Sequence, residues 1–298
     1  MIADMIETAV EAPGAPPGSD EWQTRCSSSK LAAILGASPW QTRFEVWHRL
    51  AGHIRGSEEP TTAMLRGTHL EAGIIDWWHA MNPDWKVEET GTWQSKDHPW
   101  LFDTPDALAL DPDGSPWTLE VKTTTTWDGW GPDGSITIPP YYGAQTTCHE
   151  AVMGVPCLVI AVGPDFQMRT YVRDSPRWMI DSTLDEVRGF LDTLPGGPAE
   201  QEPEPDVPVD LSAAVASTPV YRGWTRHLDD DDAAAEDLAF SRIALDEARA
   251  RFEAHRMILF LSMDEAEALK WRGRTLMSRR TDGSLYVADA ETLRGVIS

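Results

Sequence analysis

Two acidic residues and one lysine, Asp106, Glu120 and Lys122, lie in segments of the sequence with an extended pattern. Side chains alternate across a strand, so Glu120 and Lys122 point to one face and Val121 points to the other. Asp106 joins them if the neighbouring strand is in register. Two carboxylates on adjacent strands form a hard oxygen site of the kind that Mg²⁺ prefers. A nearby lysine stabilises a metal-activated water or the charge that develops on a phosphate.

A β-hairpin is predicted to position these three side chains. Its first strand is the apolar run 100–110, which contains Asp106. The sequence Asp111-Pro112-Asp113-Gly114 has strong turn chemistry, and residues 117–123 form a second β-rich run. The turn therefore brings the acid of the first run next to the acid and the lysine of the second.

The pattern of the surrounding sequence predicts an α/β fold in which helices flank a mixed sheet. The order of elements from the helix at 62–81 onwards is α–β–β–β–α–β. The predicted helices cover residues 27–35, 43–51, 62–81 and 141–152, and the extended runs cover 85–93, 100–110, 117–125, 158–162 and 167–173.

Composition divides the chain into four segments. Residues 1–20 are rich in Pro and Gly towards their end, and we expect a flexible lead-in outside the fold. Residues 21–194 contain the core. Residues 195–232 form an acidic, Pro/Glu-rich linker for which no regular structure is predicted. Residues 233–298 are predicted to be an extension made of a long helix, a hairpin turned at Asp282-Gly283 and a short helix.

The net charge of −23 argues against a general electrostatic attraction to nucleic acid, which normally leaves a basic surface. Eleven acidic residues and two arginines lie between 200 and 237, so much of the charge belongs to that segment. DNA binding would need a local basic channel, or neutralisation of the acidic centre by metal ions. The length of 298 residues and the apolar fraction of 41% are those of a globular protein with a substantial core.

The three cysteines, Cys26, Cys148 and Cys157, have no metal-ligand spacing and cannot all pair. We therefore expect a reduced, cytoplasmic protein. The first residues lack the basic and apolar pattern of an export signal, and no apolar run has the length of a membrane span. Export and membrane insertion are not expected.

Five sequence blocks follow one another in a recognisable order: Ser29–Pro39, Arg66–Glu71, Thr104–Asp106, Leu119–Lys122 and Pro140–Gln145. Together they resemble the YqaJ-type viral recombinases, which belong with the lambda-type alkaline exonucleases in the PD-(D/E)XK nuclease superfamily. A single Glu-x-Lys occurs by chance in many proteins, whereas five blocks in order are specific. The resemblance covers roughly residues 22–175 and implies a restriction-endonuclease-like core, to which the pattern of residues 233–298 adds a helical C-terminal extension.

The resemblance assigns catalytic roles position by position. Glu71 matches a glutamate on a helix, Asp106 and Glu120 match the metal-binding acids, and Lys122 matches the catalytic lysine. Gln145 matches a glutamine of the helix that follows. Each residue stands inside one of the five blocks.

The resemblance also implies a metal ion and its ligands. Asp106, Glu120, Glu71 and the carbonyl of Val121 are the implied ligands of Mg²⁺, for which Mn²⁺ would substitute. The physical interpretation of the carboxylate pair agrees with a divalent ion, because metal-bound water is a competent nucleophile at neutral pH.

Three residues are candidates for binding DNA. Ser29 falls where family members have a serine near a 5′-phosphate pocket. Arg25 is the candidate for the arginine of that pocket, since position 22 is Trp. Tyr142 shares a helix face with Gln145 and is the third candidate.

The activity implied by the resemblance is that of an Mg²⁺-dependent exonuclease. Such an enzyme degrades one strand of duplex DNA from its 5′ end and leaves a 3′ overhang for an annealing protein. The family also implies a homotrimeric ring, which would concentrate scattered basic residues around one channel.

Other aromatic and imidazole side chains have simpler interpretations. His149, four residues after Gln145, is more often a packing residue than a DNA contact. Trp127 and Trp130 lie in a Gly-rich loop, where contact with substrate and packing are equally good interpretations.

Two other functions are consistent with the same residues. A structure-specific or restriction-like endonuclease would use the same metal chemistry. A non-catalytic acidic protein could keep the fold and bind a basic partner, although the intact set of Asp106, Glu120 and Lys122 argues against it. An iron–sulfur nuclease of the superfamily is disfavoured because such enzymes usually carry four cysteines.

Overall fold

The computed structural model describes residues 1–15, 19–55, 60–206, 209–218, 225–229, 231–280 and 284–297. The chain forms two compact units, Met1–Val220 and Tyr221–Ser298. The helices of the first unit are α1 (Asp20–Thr24), α2 (Ser28–Ile34), α3 (Arg43–Leu50), α4 (Thr62–Met81), α5 (Pro140–Met153), α6 (Arg177–Leu191) and α7 (Leu211–Ser217), with 3-10 turns at Ile2–Met5 and Pro164–Phe166. Its strands are β1 (Ala9–Glu11), β2 (Cys26–Ser27), β3 (Lys86–Glu88), β4 (Trp93–Ser95), β5 (Leu101–Asp103), β6 (Ala107–Leu110), β7 (Pro116–Thr123), β8 (Cys157–Val162) and β9 (Met168–Arg173).

The main sheet has the strand order β3-β6-β7-β8-β9. Strands β7 and β8 are parallel and are connected through α5, whereas the other neighbours pair antiparallel. Parallel neighbours require such a crossover. The predicted fold class, a mixed sheet flanked by helices, is confirmed, and the order α4, β3, β6, β7, α5, β8 is the α–β–β–β–α–β order expected from the sequence.

Helices α4 and α5 cover opposite faces of β7. Ile74 and Trp78 of α4 pack in one apolar cluster with Leu119 and Val121 of the strand. The alternate residue Glu120 points to the other face, where side chains of α5 contact it. The alternation along β7 therefore separates an apolar face from a polar, buried one.

The predicted hairpin is present as β6 and β7, with Ala107 opposite Leu119 and Leu110 opposite Pro116. The carboxylate of Asp111 accepts hydrogen bonds from two amides of the turn, and Gly114 adopts a φ of +83°. A φ in this region favours glycine, so the turn chemistry explains the connection.

The sequence pattern predicts one strand at 100–110, and this prediction is wrong because the run forms two strands. Its first part, β5, belongs to a second sheet with the order β1-β4-β5-β2, and only its second part, β6, belongs to the main sheet. Thr104 and Pro105 separate the two strands. Proline fixes φ and lacks an N–H, which makes it a natural place for a chain to leave one sheet and enter another.

The first residues of the chain are part of the fold, which corrects the expected flexible lead-in. Strand β1 pairs with β4, and Ile2, Ile6 and Ala9 are buried in the main core. Burial of these apolar side chains offsets the entropy of ordering the segment. The Pro- and Gly-rich composition that suggested flexibility is confined to the residues after this strand.

The segment predicted as an irregular linker, 195–232, also contains ordered structure. Helix α7 lies within it, and its Ala213 is buried against Phe44 and Ile54. Asp210 is 2% exposed and accepts a hydrogen bond from the hydroxyl of Thr42. The acidic linker therefore contributes at least one buried contact to the first unit.

The second unit contains α8 (Ala233–Ser262), β10 (Ala268–Trp271), β11 (Arg274–Arg279), β12 (Leu285–Val287) and α9 (Ala290–Ile297). Its strands form an antiparallel sheet in the order β10-β11-β12. Asp232 caps α8 by accepting a hydrogen bond from the amide of Ala235 at 2.9 Å. The predicted turn at Asp282-Gly283 lies outside the described residues. Across the described ranges, no helix has both the length and the apolar character needed to cross a membrane.

Candidate active site

Glu120 is the centre of a buried polar cluster on the α5 side of β7. Its side chain is 2% exposed, and its Oε1 is paired with the Nζ of Lys122. Nε2 of Gln145 donates a hydrogen bond to the same oxygen at 2.6 Å, and Nε2 of His149 lies 3.0 Å from Oε2. Three of the predicted catalytic residues, Glu120, Lys122 and Gln145, are therefore in direct contact.

Asp106 is held at the start of β6 by two contacts with the neighbouring strand. Its amide donates to the carbonyl of Leu119 at 3.1 Å, and its Oδ2 accepts from the amide of Val121 at 2.6 Å. This register places its carboxyl group near Glu120 and Lys122, as the hairpin predicted. Burial raises the pKa of Asp106 well above its usual value, and the charge of Glu120 raises it further.

Glu71 of α4 interacts electrostatically with Glu120 and Lys122 of the same cluster. It lies one helical turn before Ile74, which is buried against β7. Its carboxyl group is partly buried, and burial together with the charge of Glu120 raises its pKa. Glu71, Asp106 and Glu120 thus interact electrostatically, which is the behaviour expected of carboxylates that share one site.

Lys122 is cationic and Glu120 is anionic at neutral pH. Burial alone would lower the pKa of Lys122, but the carboxylates of Glu120 and Asp106 raise it to about 12. Burial would raise the pKa of Glu120, but Lys122 and His149 lower it to about 2. Lys122 therefore supplies a fixed positive charge and does not act as a base.

His149 connects the main sheet to the second sheet. Its Nδ1 lies 2.8 Å from both carboxylate oxygens of Asp103 on β5, and its other nitrogen faces Glu120. Asp103 and His149 are both fully buried. The expectation that His149 only fills space is therefore incomplete, and Asp103 was not identified from the sequence. Its spacing of three residues from Asp106 was the available signal.

Tyr142 lies beside Lys122, with the Nζ of Lys122 5.1 Å from its ring centroid. Trp130 packs against Tyr142 and Tyr171 and is 9% exposed. Trp127 packs edge-on to Trp130, with a centroid distance of 6.1 Å. Of the two interpretations of the tryptophans in the Gly-rich loop, these contacts favour packing.

No contact among the described residues links Ser29 or Arg25 directly to Asp106 or Lys122, although β2, which lies between them, pairs with β5 beside Asp103. Nη1 of Arg25 donates to the carbonyl of Pro13 at 2.7 Å, and its guanidinium group lies 4.7 Å from the ring centroid of Phe102. The Ser29 hydroxyl lies 3.2 Å from that of Ser27. The 5′-phosphate pocket that the resemblance assigns to Ser29 and Arg25 stays a prediction.

Arg25 does line a cavity of about 320 Å³, together with residues of β5 and α6. Phe102 and Arg188 are among the other lining residues. Both guanidinium groups already have carboxylate partners, since Arg25 is paired with Glu21 and Nη2 of Arg188 lies 2.9 Å from Oδ1 of Asp192. An anionic group in this cavity would have to compete with these carboxylates for either arginine.

The donor atoms of the cluster suit a hard divalent cation, since Asp106, Glu120 and Glu71 carry carboxylates and Val121 carries a strand carbonyl. As arranged, no group of three or more His, Cys, Asp or Glu side chains in the described residues could hold a metal ion. One oxygen of Glu120 is taken by Lys122 and Gln145, and one oxygen of Asp106 is taken by an amide. Binding of an ion here would require these side chains to exchange partners.

Residues 22–155 match the family model of the YqaJ-like viral recombinase domain. For this segment, the match confirms the family recognised from the five sequence blocks. A search among curated proteins finds no significant match.

Several solved structures are similar at low identity. A crystal structure of an alkaline exonuclease from Laribacter hongkongensis is 21% identical, covering 57% of this chain and 87% of that chain with a TM-score of 0.45. The same exonuclease in complex with dAMP is 20% identical, with 59% and 91% covered and a TM-score of 0.47. A putative exonuclease from Eubacterium rectale is 13% identical, with 75% and 99% covered and a TM-score of 0.39.

Proposed function

We propose that the protein is a metal-dependent deoxyribonuclease that acts as an exonuclease on linear duplex DNA. In this proposal it degrades one strand from the 5′ end and leaves a 3′ single-stranded overhang. The observation that supports it is the contact of Glu120 with Lys122 on one face of β7, with Asp106 fixed to the same strand. The family match over residues 22–155 agrees with this chemistry.

The acidic residues of the site and Lys122 have different roles in phosphodiester hydrolysis. Asp106, Glu120, Glu71 and the Val121 carbonyl would hold Mg²⁺, which when bound supplies an activated water and neutralises charge on the phosphate. Lys122 places a fixed positive charge where negative charge develops in the transition state, an interaction that is strong in a buried site.

Two side chains of α5 orient the carboxylate of Glu120. Gln145 holds one carboxylate oxygen and His149 faces the other, so the carboxylate plane is restrained from two sides. Such second contacts keep a ligand in its productive orientation. The ring of Tyr142 lies 5.1 Å from the ammonium group of Lys122, a distance at which an aromatic face attracts a cation.

The same family supports further proposals about partners. We propose double-stranded DNA as substrate, a single-strand annealing protein as partner of the product strand, and a homotrimer as the assembly. A trimer would bring basic residues of three chains around one channel and so offset the net charge of −23. A reducing cytoplasm is proposed as the location, in keeping with three free, buried cysteines.

A cleavage assay with three DNA forms tests the proposed activity. Linear duplex DNA with a 5′ phosphate, the same duplex with a 5′ hydroxyl, and closed circular duplex are each incubated with Mg²⁺ or with EDTA. We expect loss of the linear forms from the 5′ end in Mg²⁺ only, faster with the phosphate, and intact circles. Cleavage of circles would indicate the endonuclease, and no cleavage of any form would contradict the proposal.

A pair of matched variants tests whether DNA cleavage depends on the carboxylate of Asp106. Asp106→Ala should abolish cleavage, whereas Asp113→Ala, an exposed acid in the turn of the same hairpin, should cleave like the wild type. Equal loss in both variants would show that the hairpin, and not the carboxylate of Asp106, is what the reaction needs.

A further inference from the structure

Trp40 is an exposed tryptophan in the connection between α2 and α3, and 68% of its surface is accessible. Leaving an indole ring in water forgoes the favourable free energy of burying a large apolar surface. Other tryptophans of the first unit are buried, among them Trp78 of α4, Trp93 of β4 and Trp130 in the loop before α5. An exposed ring of this size is a candidate for contact with another molecule.

The connection that carries Trp40 is fixed at both ends. The amides of Ala37 and Ser38 donate to the carbonyl of Ala32 at 2.8 and 3.0 Å, which ends α2. The Ser38 hydroxyl accepts from the amides of Trp40 and Gln41 at 3.2 and 3.1 Å. These bonds and the adjacent proline present the indole ring in a defined place.

Trp40 is also the outer end of a row of aromatic rings that reaches the catalytic lysine. Its ring centroid lies 4.7 Å from that of Tyr141, which lies 4.4 Å from that of Tyr142. The Nζ of Lys122 lies 5.1 Å from the Tyr142 ring centroid. Because Trp40 is also 6.3 Å from Tyr142, it lies within about three nucleotides of Lys122 at a rise of about 3.4 Å per nucleotide.

We propose that Trp40 stacks on an unpaired base of the DNA strand. This base lies within about three nucleotides of the phosphate that is bound beside Lys122. The inference rests on the proposed nuclease function and names a contact for its substrate. Every base has a face on which an aromatic ring can stack, so the contact holds a strand without selecting its sequence.

The net charge gives a physical reason for such a contact. Attraction to phosphates is the usual source of affinity for DNA, and it depends on basic residues and low salt. In a chain with a net charge of −23, a stacking contact contributes affinity without any positive charge. Its contribution should therefore be insensitive to salt.

Fluorescence of 2-aminopurine tests the stack in the full-length protein. The probe is a duplex with a short unpaired end in which 2-aminopurine replaces one base at a time, with Ca²⁺ as the divalent ion and the strands checked for cleavage. Quenching at one or two positions within about three nucleotides of the bound phosphate is expected for the wild type. Uniform fluorescence at all positions would overturn the inference.

Four variants separate stacking from packing. Trp40→Ala should bind the probe about tenfold more weakly and lose the quenching, with an unchanged dependence on salt. Trp40→Phe should retain both the affinity for the probe and the quenching. Trp40→Leu, which keeps an apolar side chain without a ring, should behave like the alanine variant. Trp178→Ala is the matched control, because Trp178 is 69% exposed on α6, and it should bind like the wild type.

The outcomes distinguish this inference from the nuclease proposal. If Trp40→Ala binds and quenches like the wild type, or if the leucine variant equals the phenylalanine variant, stacking is contradicted even when DNA is cleaved. If the wild type shows the quenching and Trp40→Ala loses it, stacking is supported even when no form of DNA is cleaved. If Trp40→Ala fails to fold, the comparison of Trp40→Phe with Trp40→Leu still shows whether an aromatic ring at this position is required.

Discussion

Nε2 of His149 lies 3.0 Å from Oε2 of Glu120, and both side chains are buried. Burial alone would lower the pKa of His149, but the carboxylates of Asp103 and Glu120 raise it well above its ordinary value. The two carboxylates therefore favour the cationic form of His149. Asp103, His149, Glu120 and Lys122 form a row in which acidic and basic side chains alternate, and each neighbouring pair is in contact.

Replacing His149 by Ala is expected to lower the free energy of unfolding by about 3 kcal/mol, because two buried carboxylates lose the charge between them. Urea denaturation of the metal-free protein at neutral pH measures this change. Cys148→Ala is the matched control, since Cys148 is the preceding residue of α5, is fully buried and carries no charge. We expect a much smaller loss in the control.

A double variant checks that the effect of His149 is electrostatic. Asp103→Asn combined with His149→Ala removes one of the two orphaned carboxylates, so the double variant should lose less stability than the sum of the single variants. Additive losses would mean that His149 contributes packing only.

The hairpin and its ionic pair were predictable because they depend on local sequence. Alternation along 117–123 places Glu120 beside Lys122, and the turn at Asp111–Gly114 brings Asp106 to the same strand. Each of these features is decided within about twenty residues, and local pattern is the strongest signal in a single sequence.

The contact of His149 with Asp103 was not predictable, because it depends on which sheet each part of the run at 100–110 joins. The two residues are 46 positions apart, and they meet because α5 packs against strands of both sheets. The ordered structure of residues 1–11 was missed because the Pro- and Gly-rich residues that follow them suggested a flexible lead-in. Only the tertiary structure shows that Ile2 and Ile6 are buried. Burial overrides local composition in both cases.

Mg²⁺ or Mn²⁺ is expected to raise the thermal stability of the wild type. Burial and the charge of Glu120 raise the pKa of Asp106, so an ion that relieves this repulsion binds the folded state. At an ion concentration of 100 times the dissociation constant the gain is about 2.7 kcal/mol. A thermal shift titration measures it. Asp106→Ala should show no shift, Asp113→Ala should show the full shift, and a shift retained in Asp106→Ala would contradict the metal site.

Lys122→Met is expected to separate metal binding from turnover. The methionine side chain keeps much of the length and removes the charge, so the shift with Mn²⁺ should persist while single-turnover cleavage falls by about a hundredfold or more. Lys86→Met is the control, because Lys86 is an exposed lysine on β3 of the same sheet. Cleavage near the wild-type rate in Lys122→Met would remove this lysine from the mechanism.

Lys30, which lies outside the cluster around Glu120, is expected to make the free energy of unfolding depend on pH. It is 3% exposed, and its Nζ donates to the carbonyls of Trp22 and Arg25 at 2.7 and 2.9 Å. Burial lowers its pKa to about 8 from an ordinary value of 10.5, although Cys26 opposes the change. A neutral amine still has two N–H groups, so both hydrogen bonds survive deprotonation.

The direction of the effect follows from the two pKa values of Lys30. Below pH 8 the folded and unfolded states both carry the proton, and the folded state bears the full cost of the buried charge. As the pH rises above 8, the folded state releases the proton before the unfolded state does, so the free energy of unfolding rises. Burial raises the pKa of Cys26 to about 12, which acts in the opposite direction above pH 9.

Burial also raises the pKa values of Cys148 and Cys157, so the contribution of Lys30 is isolated by comparison with a variant that lacks its amine. We expect the stability of the wild type, measured by urea denaturation relative to Lys30→Met, to increase by about 1 kcal/mol from pH 8 to 9. The subtraction cancels titrating groups that both proteins share. Lys270→Met, which removes an exposed lysine of β10, should show no such change relative to the wild type. A difference between wild type and Lys30→Met that stays constant from pH 8 to 9 would mean that Lys30 keeps its ordinary pKa in the folded protein.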